Sequence, residues 1–393
     1  VGIRPANGQA ARLRRRGLPL AAALLALVLT ACTPPSSSAP SPTGQPGQLA
    51  AGVMVPDGPP SDVVTGLDSP WSLVTLPDGS FLVSERGSAR ILEVVAGGAT
   101  RTVGKVDGVV PGGEGGLLGL AAQTAPCKDA PSPAQCLYLY AYFTATADNR
   151  IVRMRLTGGP GAYTLGPASL ILSGIAKAGN HNGGRIAFGP DGMLYATAGD
   201  AGNSQQAQDP KSLNGKILRL TPDGGIPADN PFPGSPVYTL GHRNPQGLAW
   251  DSSGRLWASE FGQNTWDELN LIRPGHNYGW PVVEGISTTA DKKFTNPVLQ
   301  WPVADASPSG IAIRGSTIYM AALRGQRLWV IQPSTDGTTA SAAAYLTGQF
   351  GRLRDVHLSA DGGLWVLTNN TDGRGTPRPG DDRILAVRLA TVP

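Results

Sequence analysis

Four short stretches gather residues able to do chemistry, and glycine softens each of them. "GNHNGGR" (179–185) sets His181, one of only four histidines in 393 residues, between two asparagines and ahead of two glycines. "GHRNPQG" (241–247) carries Arg243 and Asn244, "ALRGQRL" (322–328) carries Arg324, and "GRLRDV" (351–356) carries Arg352 and Arg354. A fifth stretch, "EFGQNTWDELN" (260–270), places backbone carbonyls beside a glycine, where they could meet a hard cation. Imidazole is the side chain suited to act as a base near neutral pH. Guanidinium grips planar oxyanions with two parallel hydrogen bonds. One imidazole with several guanidiniums and few acids predicts a site for a small planar polyanion beside a general base. Each stretch also has a plainer reading. A lone histidine is more often a structural hydrogen-bonder, "HRNPQG" can be a proline-stiffened turn, and Arg354 can pair with its neighbour Asp355. Arg352 and Arg354 are the more pointed case, because residues two apart on a strand share a face.

Those loops need a scaffold, and the rest of the chain supplies a repeat. "LPDGSFLVSERG" (76–87), "GPDGMLYATAGD" (189–200), "DSSGRLWASEFG" (251–262) and "SADGGLWVLTNN" (359–370) each place a Gly-containing turn before an alternating apolar strand. Most are followed by a second strand, as in "ARILEVV" and "DDRILAVRL". No stretch shows sustained helical periodicity. A unit of roughly sixty residues, repeated from about residue 60, makes room for about six units of four strands. The prediction is all-β: a six-bladed β-propeller with four antiparallel strands per blade, spanning 60–393. A pair of β-sandwiches is the competing architecture, but it does not explain the recurring turn. The high Gly (53) and Pro (35) counts favour short strands and tight turns over long helices.

The ends read differently. The formal charge is +4, but five arginines and no acid fall within residues 1–31, so the body is near neutral. A near-neutral body argues against a nucleic-acid surface. "RLRRRG" followed by "LPLAAALLALVLTAC" has the form of a bacterial lipoprotein signal peptide, residues 1–32, ending in a lipobox whose Cys32 is the lipidation site. The Pro/Ser/Gly-rich segment 33–59 is expected to be a disordered tether. Together they predict export and lipid anchoring on the outer face of the bacterial cytoplasmic membrane. Cys127 and Cys136, ten residues end to end around a Pro-containing loop, predict a local disulfide in that compartment. A monomer is expected.

Seven motifs in order resemble the glucose/sorbosone dehydrogenase family, the soluble PQQ-dependent aldose sugar dehydrogenases. They are "GEGGLLGLA", "NHNGGRIAFGPDGMLYATAGD", "AQDPKSLNGKILRL", "GHRNPQGLAWD", "DELNLI…GHNYGWP", "ALRGQRLWVI" and "GRLRDVHLSADGGLWVLTN". The likeness runs from about residue 62 to the C-terminus. It implies a six-bladed propeller holding pyrroloquinoline quinone, a planar tricarboxylate, with calcium over the central channel. It implies that His181 is the base taking the proton from the sugar C1 hydroxyl while hydride passes to the quinone. Arg243 then matches the arginine that stabilises the developing oxyanion, with Asn244 contacting the cofactor beside it. Arg352 and Arg354 match the pair that holds cofactor carboxylates. Arg324 stands where the glucose enzymes have lysine, Glu114 where they have a cofactor-contacting glutamine, and Asn180 where they have aspartate. Gly262 and Gln263, the latter in place of proline, match two main-chain carbonyl ligands of the calcium. On this reading Gly183 and Gly184 clear space for sugar and cofactor, and "IPADNPF" (226–232) shapes a loop rather than a second calcium site. A membrane quinone or cytochrome is the expected electron acceptor. Glucose, other aldoses, disaccharides and sorbosone-like aldehydes all stay open as substrates. So do two other functions: a lipid-tethered sugar-binding propeller without catalysis, and a calcium-dependent lactonase.

Overall fold

The recurring turns are hairpins of one kind. In each, the first turn residue (Leu76, Gly189, Asp251 or Ser359) donates its N–H to the carbonyl four residues on and accepts from the glycine three residues on. That glycine (Gly79, Gly192, Gly254 or Gly362) lies at a φ of 87°, 73°, 76° or 86°, left-handed backbone that a side chain disfavours. The turns join Pro70–Thr75 to Phe81–Glu85, Ile186–Phe188 to Leu194–Ala198, Pro245–Trp250 to Leu256–Glu260, and Leu353–Leu358 to Leu364–Thr368. Two further hairpins use other devices. Leu117–Pro126 and Gln135–Thr144 are stapled by the expected disulfide between Cys127 and Cys136, and Pro308–Arg314 turns into Thr317–Ala322 at Gly315.

The computed structural model describes residues 1–2, 49–127, 134–287 and 293–392. Among the described residues, the strands between 61 and 387 form six antiparallel sheets of four strands each, the blades of a propeller, as predicted. The blades are numbered I to VI by their innermost strands, Pro70–Thr75, Leu117–Pro126, Ile186–Phe188, Pro245–Trp250, Pro308–Arg314 and Leu353–Leu358, and in the first five the strands follow chain order from the innermost outward. The sixth takes three strands from the C-terminal end and its outermost strand, Ser61–Val64, from the N-terminal end, paired antiparallel with Ile384–Val387. This shared blade closes the ring without a covalent link. Apolar layers between neighbouring blades form the core, anchored by the fully buried Trp71, Trp257, Trp301 and Trp329. Replacing one such tryptophan by alanine costs about 3–5 kcal/mol.

Signal segment 1–32 with Cys32, and residues 33–48 of the expected tether, fall outside the described residues apart from Val1 and Gly2. The rest of that tether is corrected: residues 49–59 pack on the propeller. Leu49 and Val53 are buried, and Met54–Pro56 pairs with Leu389–Thr391. The Tyr319 hydroxyl also donates to the Met54 carbonyl at 2.9 Å. The cause is composition: "LAAGVMV" (49–55) has the apolar surface to bury that the Pro/Ser-rich residues before it lack.

The innermost strands line an axial channel that a polar layer divides. Arg185 crosses it, donating to Asp355 and Ser72 Oγ through Nη1 (2.9 and 3.1 Å) and to the Gln246 carbonyl through Nε (2.9 Å). Its guanidinium lies 4.5 Å from the Trp71 ring. Asp355 therefore serves Arg185 and the Leu73 N–H, not its neighbour Arg354. On one side of this layer is a mainly apolar cavity with the half-buried His357 on its wall; on the other is the candidate site.

Candidate active site

A cavity of about 250 Å³ at the other mouth collects loops from all six blades. His181, Arg243, Arg324, Arg352, Arg354 and Glu114, expected from sequence to share a site, all line it. Arg86, Arg374, Trp71, Gln246, Phe261, Ser307 and Leu323 complete the wall. Six guanidiniums thus face one lining carboxylate.

His181 is held from three sides. Its backbone is left-handed (φ 54°), a conformation uncommon outside glycine. Its N–H donates to Glu114 Oε2 (2.8 Å) and its carbonyl accepts from Ala201 (3.1 Å). The ring Nδ1 meets Asp200 Oδ1 at 2.7 Å. An ionised carboxylate can only accept, so Nδ1 carries the proton and Nε2 presents a lone pair. The exposed Asn180 Nδ2 stands 3.3 Å from that Nε2. Burial would raise the Asp200 carboxyl. Hydrogen bonds from His181, Gly202 (2.8 Å) and Trp280 Nε1 (2.9 Å) outweigh burial and hold it below the ordinary carboxylate range. The geometry is that of a general base whose ring is oriented by a buried anion.

Arg243 lies across from it in blade IV. Its Nη1 donates to the Gly262 carbonyl (2.5 Å), its N–H to Glu260, and its guanidinium lies 5.5 Å from the Trp280 ring. The Arg243 carbonyl accepts the Asp200 N–H (2.8 Å), which locks the blade III and blade IV loops together. Asn244 is fully buried and does not line the cavity; its Oδ1 accepts the Gly183 N–H at 3.0 Å. Arg354 fans out to neutral partners, Asn369 Oδ1 (2.8 Å) and Gln246 Oε1 (2.8 Å). The Asp372 carboxylate, on a side chain with no exposed surface, lies 3.4 Å from Arg352 and 3.7 Å from Arg354. Exposed Arg324 has no hydrogen-bond partner among the described residues.

Burial pushes the guanidiniums of Arg86, Arg243 and Arg352 down from their ordinary value, and that of Arg354 to about 9. A guanidinium does not give up its proton in proteins, so the strain marks a demand for an anion. Arg243 Nε, Arg352 Nε and Asn244 Nδ2 are buried without a hydrogen-bond partner. The two orphaned arginine donors sit on residues that line the cavity, and together with its surplus of cations they suit a planar polycarboxylate.

The metal expectation fares differently. Gly262 and Gln263 are in the loop after Glu260, but the Gly262 carbonyl is taken by Arg243. Glu284 Oε1 accepts the backbone N–H groups of Gln263 (2.6 Å), Asn264 (3.0 Å), Thr265 (3.1 Å) and Trp266 (3.3 Å), fixing the loop. Burial raises the Glu284 carboxyl, and these four donors more than offset it. No cluster of three His, Cys, Asp or Glu able to hold a metal occurs among the described residues.

One smaller expectation is corrected. Gly183 and Gly184 do not clear space for ligands: a Cβ at Gly183 would meet the Thr197 carbonyl at 2.5 Å, and one at Gly184 the Leu118 side chain at 2.6 Å. They let the loop press on its own and the neighbouring blade. In "IPADNPF" the Asp229 and Asn230 oxygens bond Arg219, which makes the segment a pinned loop. Asp200, Arg86 and Arg374 were missed. Asp200 ends the "YATAGD" strand and carried a signal in its place after a repeat; Arg374 lies in an irregular Gly/Pro-rich stretch that carried none.

A closed six-bladed propeller with a histidine–carboxylate pair and a ring of arginines at one channel mouth defines a ligand-binding, base-equipped propeller. The profile of the family described as glucose/sorbosone dehydrogenase matches residues 67–377, and the chain belongs to that family. Aldose sugar dehydrogenase YliI of Escherichia coli is 30% identical over 338 residues, covering 78% of this chain and 89% of the relative. Quinoprotein glucose dehydrogenase B of Acinetobacter calcoaceticus is 36% identical over 288 residues, 64% of this chain and 58% of the relative. The PQQ-bound form of aldose sugar dehydrogenase from Streptomyces coelicolor superposes with a TM-score of 0.77 at 49% identity, covering 89% of this chain and all of that one.

Proposed function

We propose that this protein is a PQQ-dependent dehydrogenase that oxidises the C1 hydroxyl of aldose sugars to lactones. The observation that carries the reading is the convergence of six guanidiniums and one oriented imidazole on a single cavity. The relatives' names and the PQQ-bound form of the Streptomyces protein support it. Arg324, Arg352 and Arg354 would hold cofactor carboxylates, with the orphaned Nε atoms of Arg243 and Arg352 as further donors. When bound, the quinone supplies the hydride acceptor. His181 Nε2 takes the proton from the C1 hydroxyl, and Asp200 stabilises the imidazolium that results. Arg243 places a fixed cation where negative charge develops. The layer built on Arg185 and Trp71 closes the cavity floor against the lower channel.

Calcium belongs to this reading only in company with the cofactor, because the chain offers two carbonyls, one already bonded. We assign export and lipid anchoring through Cys32 to the same proposal; both rest on the leader sequence, as does a membrane quinone or cytochrome as electron acceptor. The test is a titration of the cofactor-free protein with PQQ, with and without calcium, followed by aldoses under anaerobic conditions. Binding with sugar-dependent bleaching of the oxidised absorbance is expected. PQQ binding without reduction by any aldose keeps the cofactor site and moves the substrate to another class, such as the sorbosone-like aldehydes; no PQQ binding leaves the sugar-binding propeller. No PQQ binding, with lactone hydrolysis in calcium alone, would establish the lactonase instead.

A further inference from the structure

The segment 370–382 is a strap with fixed ends. Asp382 accepts from Thr368 Oγ1 (2.9 Å) and Thr371 Oγ1 (2.6 Å), and Asp381 accepts from Asn370 Nδ2 (3.0 Å) and the Arg378 N–H (2.9 Å). Arg378 in turn donates to the Gln349 carbonyl, so the strap is fastened to the loop before the sixth blade. From that base it reaches across the mouth, and Arg374 Nη1 meets Glu114 Oε1 of the second blade at 2.9 Å. Arg86, from the first blade, fills the space between. It donates to the carbonyls of Gly113 (3.1 Å) and Asp372 (3.2 Å) and has no carboxylate within ion-pair distance among the described residues.

The cavity wall can now be divided by role. In the proposed reading, Arg324, Arg352 and Arg354 serve a tricarboxylate, and Arg243 serves the developing charge. Those residues come from blades IV to VI. Around the ring from His181 in the other direction, the remaining charged lining is Glu114, Arg86 and Arg374. That wall holds two cations and one anion beside the base, and a sugar presenting C1 to His181 must lie against it. Glu114 accepts from hydroxyls, and a guanidinium fork matches a carboxylate or phosphate better than it matches hydroxyl groups.

Resting on the proposed function, we infer that Arg86, Glu114 and Arg374 form the substrate-recognising wall. Its surplus cation selects aldoses that carry an anionic group away from C1, a carboxylate or a phosphate, over neutral aldoses. A charge-assisted hydrogen bond to a guanidinium supports a preference of about tenfold or more.

The experiment uses the PQQ-loaded protein with glucose, glucuronate and glucose 6-phosphate. Glucuronate or glucose 6-phosphate is expected to exceed glucose in kcat/KM by about tenfold, through KM, and the excess is expected to shrink as salt is added. The better of the two identifies the anion. Arg374→Gln and, separately, Arg86→Gln are expected to bring the ratio towards one. Because Arg374 also ties down Glu114, a parallel binding titration compares methyl glucuronoside with methyl glucoside, which are blocked at C1 and cannot react. Tighter binding of the glucuronoside, lost in either variant, supports the inference even if turnover is impaired. Equal binding of the two glycosides and an unchanged ratio in both variants overturn it. If no sugar reduces the cofactor, the proposed function fails on its own measurement, and the glycoside titration still decides the selectivity of the wall.

Discussion

Among the described residues are two histidine–carboxylate pairs of equal length with opposite surroundings. His181 Nδ1 lies 2.7 Å from Asp200, and His242 Nδ1 lies 2.7 Å from Glu260. The His242 ring is fully buried and stacked on Tyr278 with centroids 4.7 Å apart, and its Nε2 is bonded to Thr239 Oγ1 at 2.8 Å. The His181 side chain keeps 12% of its surface exposed, and its Nε2 faces only an exposed amide at 3.3 Å and the cavity. A carboxylate partner alone does not make a base. What separates the two is the second nitrogen: committed to the scaffold in one pair, available to a ligand in the other.

That contrast can be broken in four places. The largest effect is expected from His181→Gln, which should lower sugar-driven reduction of the cofactor by 10²–10⁴-fold while leaving PQQ binding and the melting temperature near those of the parent. Stopped-flow reduction and a thermal melt measure both; a loss below tenfold would mean that His181 is not the base. Next, Asp200→Asn should cost roughly 100-fold, because the amide can stabilise the wrong tautomer. The Asp200 carboxyl sits below its ordinary value, so the stability its pairing contributes is complete at neutral pH. It is lost only as pH falls through that lowered pKa, under about pH 4.

The scaffold pair should answer in the other currency. His242→Ala strands a buried carboxylate and is expected to destabilise the protein by about 2–4 kcal/mol, read as a drop in denaturant midpoint. Activity per folded molecule should fall less than tenfold. The smallest effect concerns Glu268, beside Glu260. Burial first, and the Glu260 charge second, push its carboxyl up to about 8. The folded protein therefore keeps a proton that the unfolded chain releases above the ordinary value of 4.5. Stability from this group is full below that value and declines as pH rises towards 8. Glu268→Gln should flatten the decline, gaining about 1–2 kcal/mol above pH 8 in pH-resolved denaturation. An unchanged slope would assign the proton to another group.

Much of this was legible before any coordinates. The Asp-Gly and Ser-Gly turns are local chemistry, so the propeller and its blade count follow from a pattern within a dozen residues. Arg352 and Arg354 both line the cavity as expected, but Arg352 precedes the strand Leu353–Leu358 and the register slips between Leu353 and Asp355, so period-two alternation is not what brings them together. The Cys127–Cys136 staple needed only proximity along the chain. The tether expectation overran to residue 59 because prolines were weighed above the apolar "LAAGVMV" preceding them.

By itself, then, the sequence determined the blades, the turns that shape them and the residue types gathered on their loops. All of these depend on interactions between residues close along the chain. The tertiary structure alone decided which histidine keeps a free nitrogen, that Asp200 stands behind it, and that Arg374 reaches Glu114 from 260 residues away. Those contacts exist only once Ser61–Val64 joins the last blade and closes the ring. Ring closure, and no local propensity, brings six distant loops to one mouth.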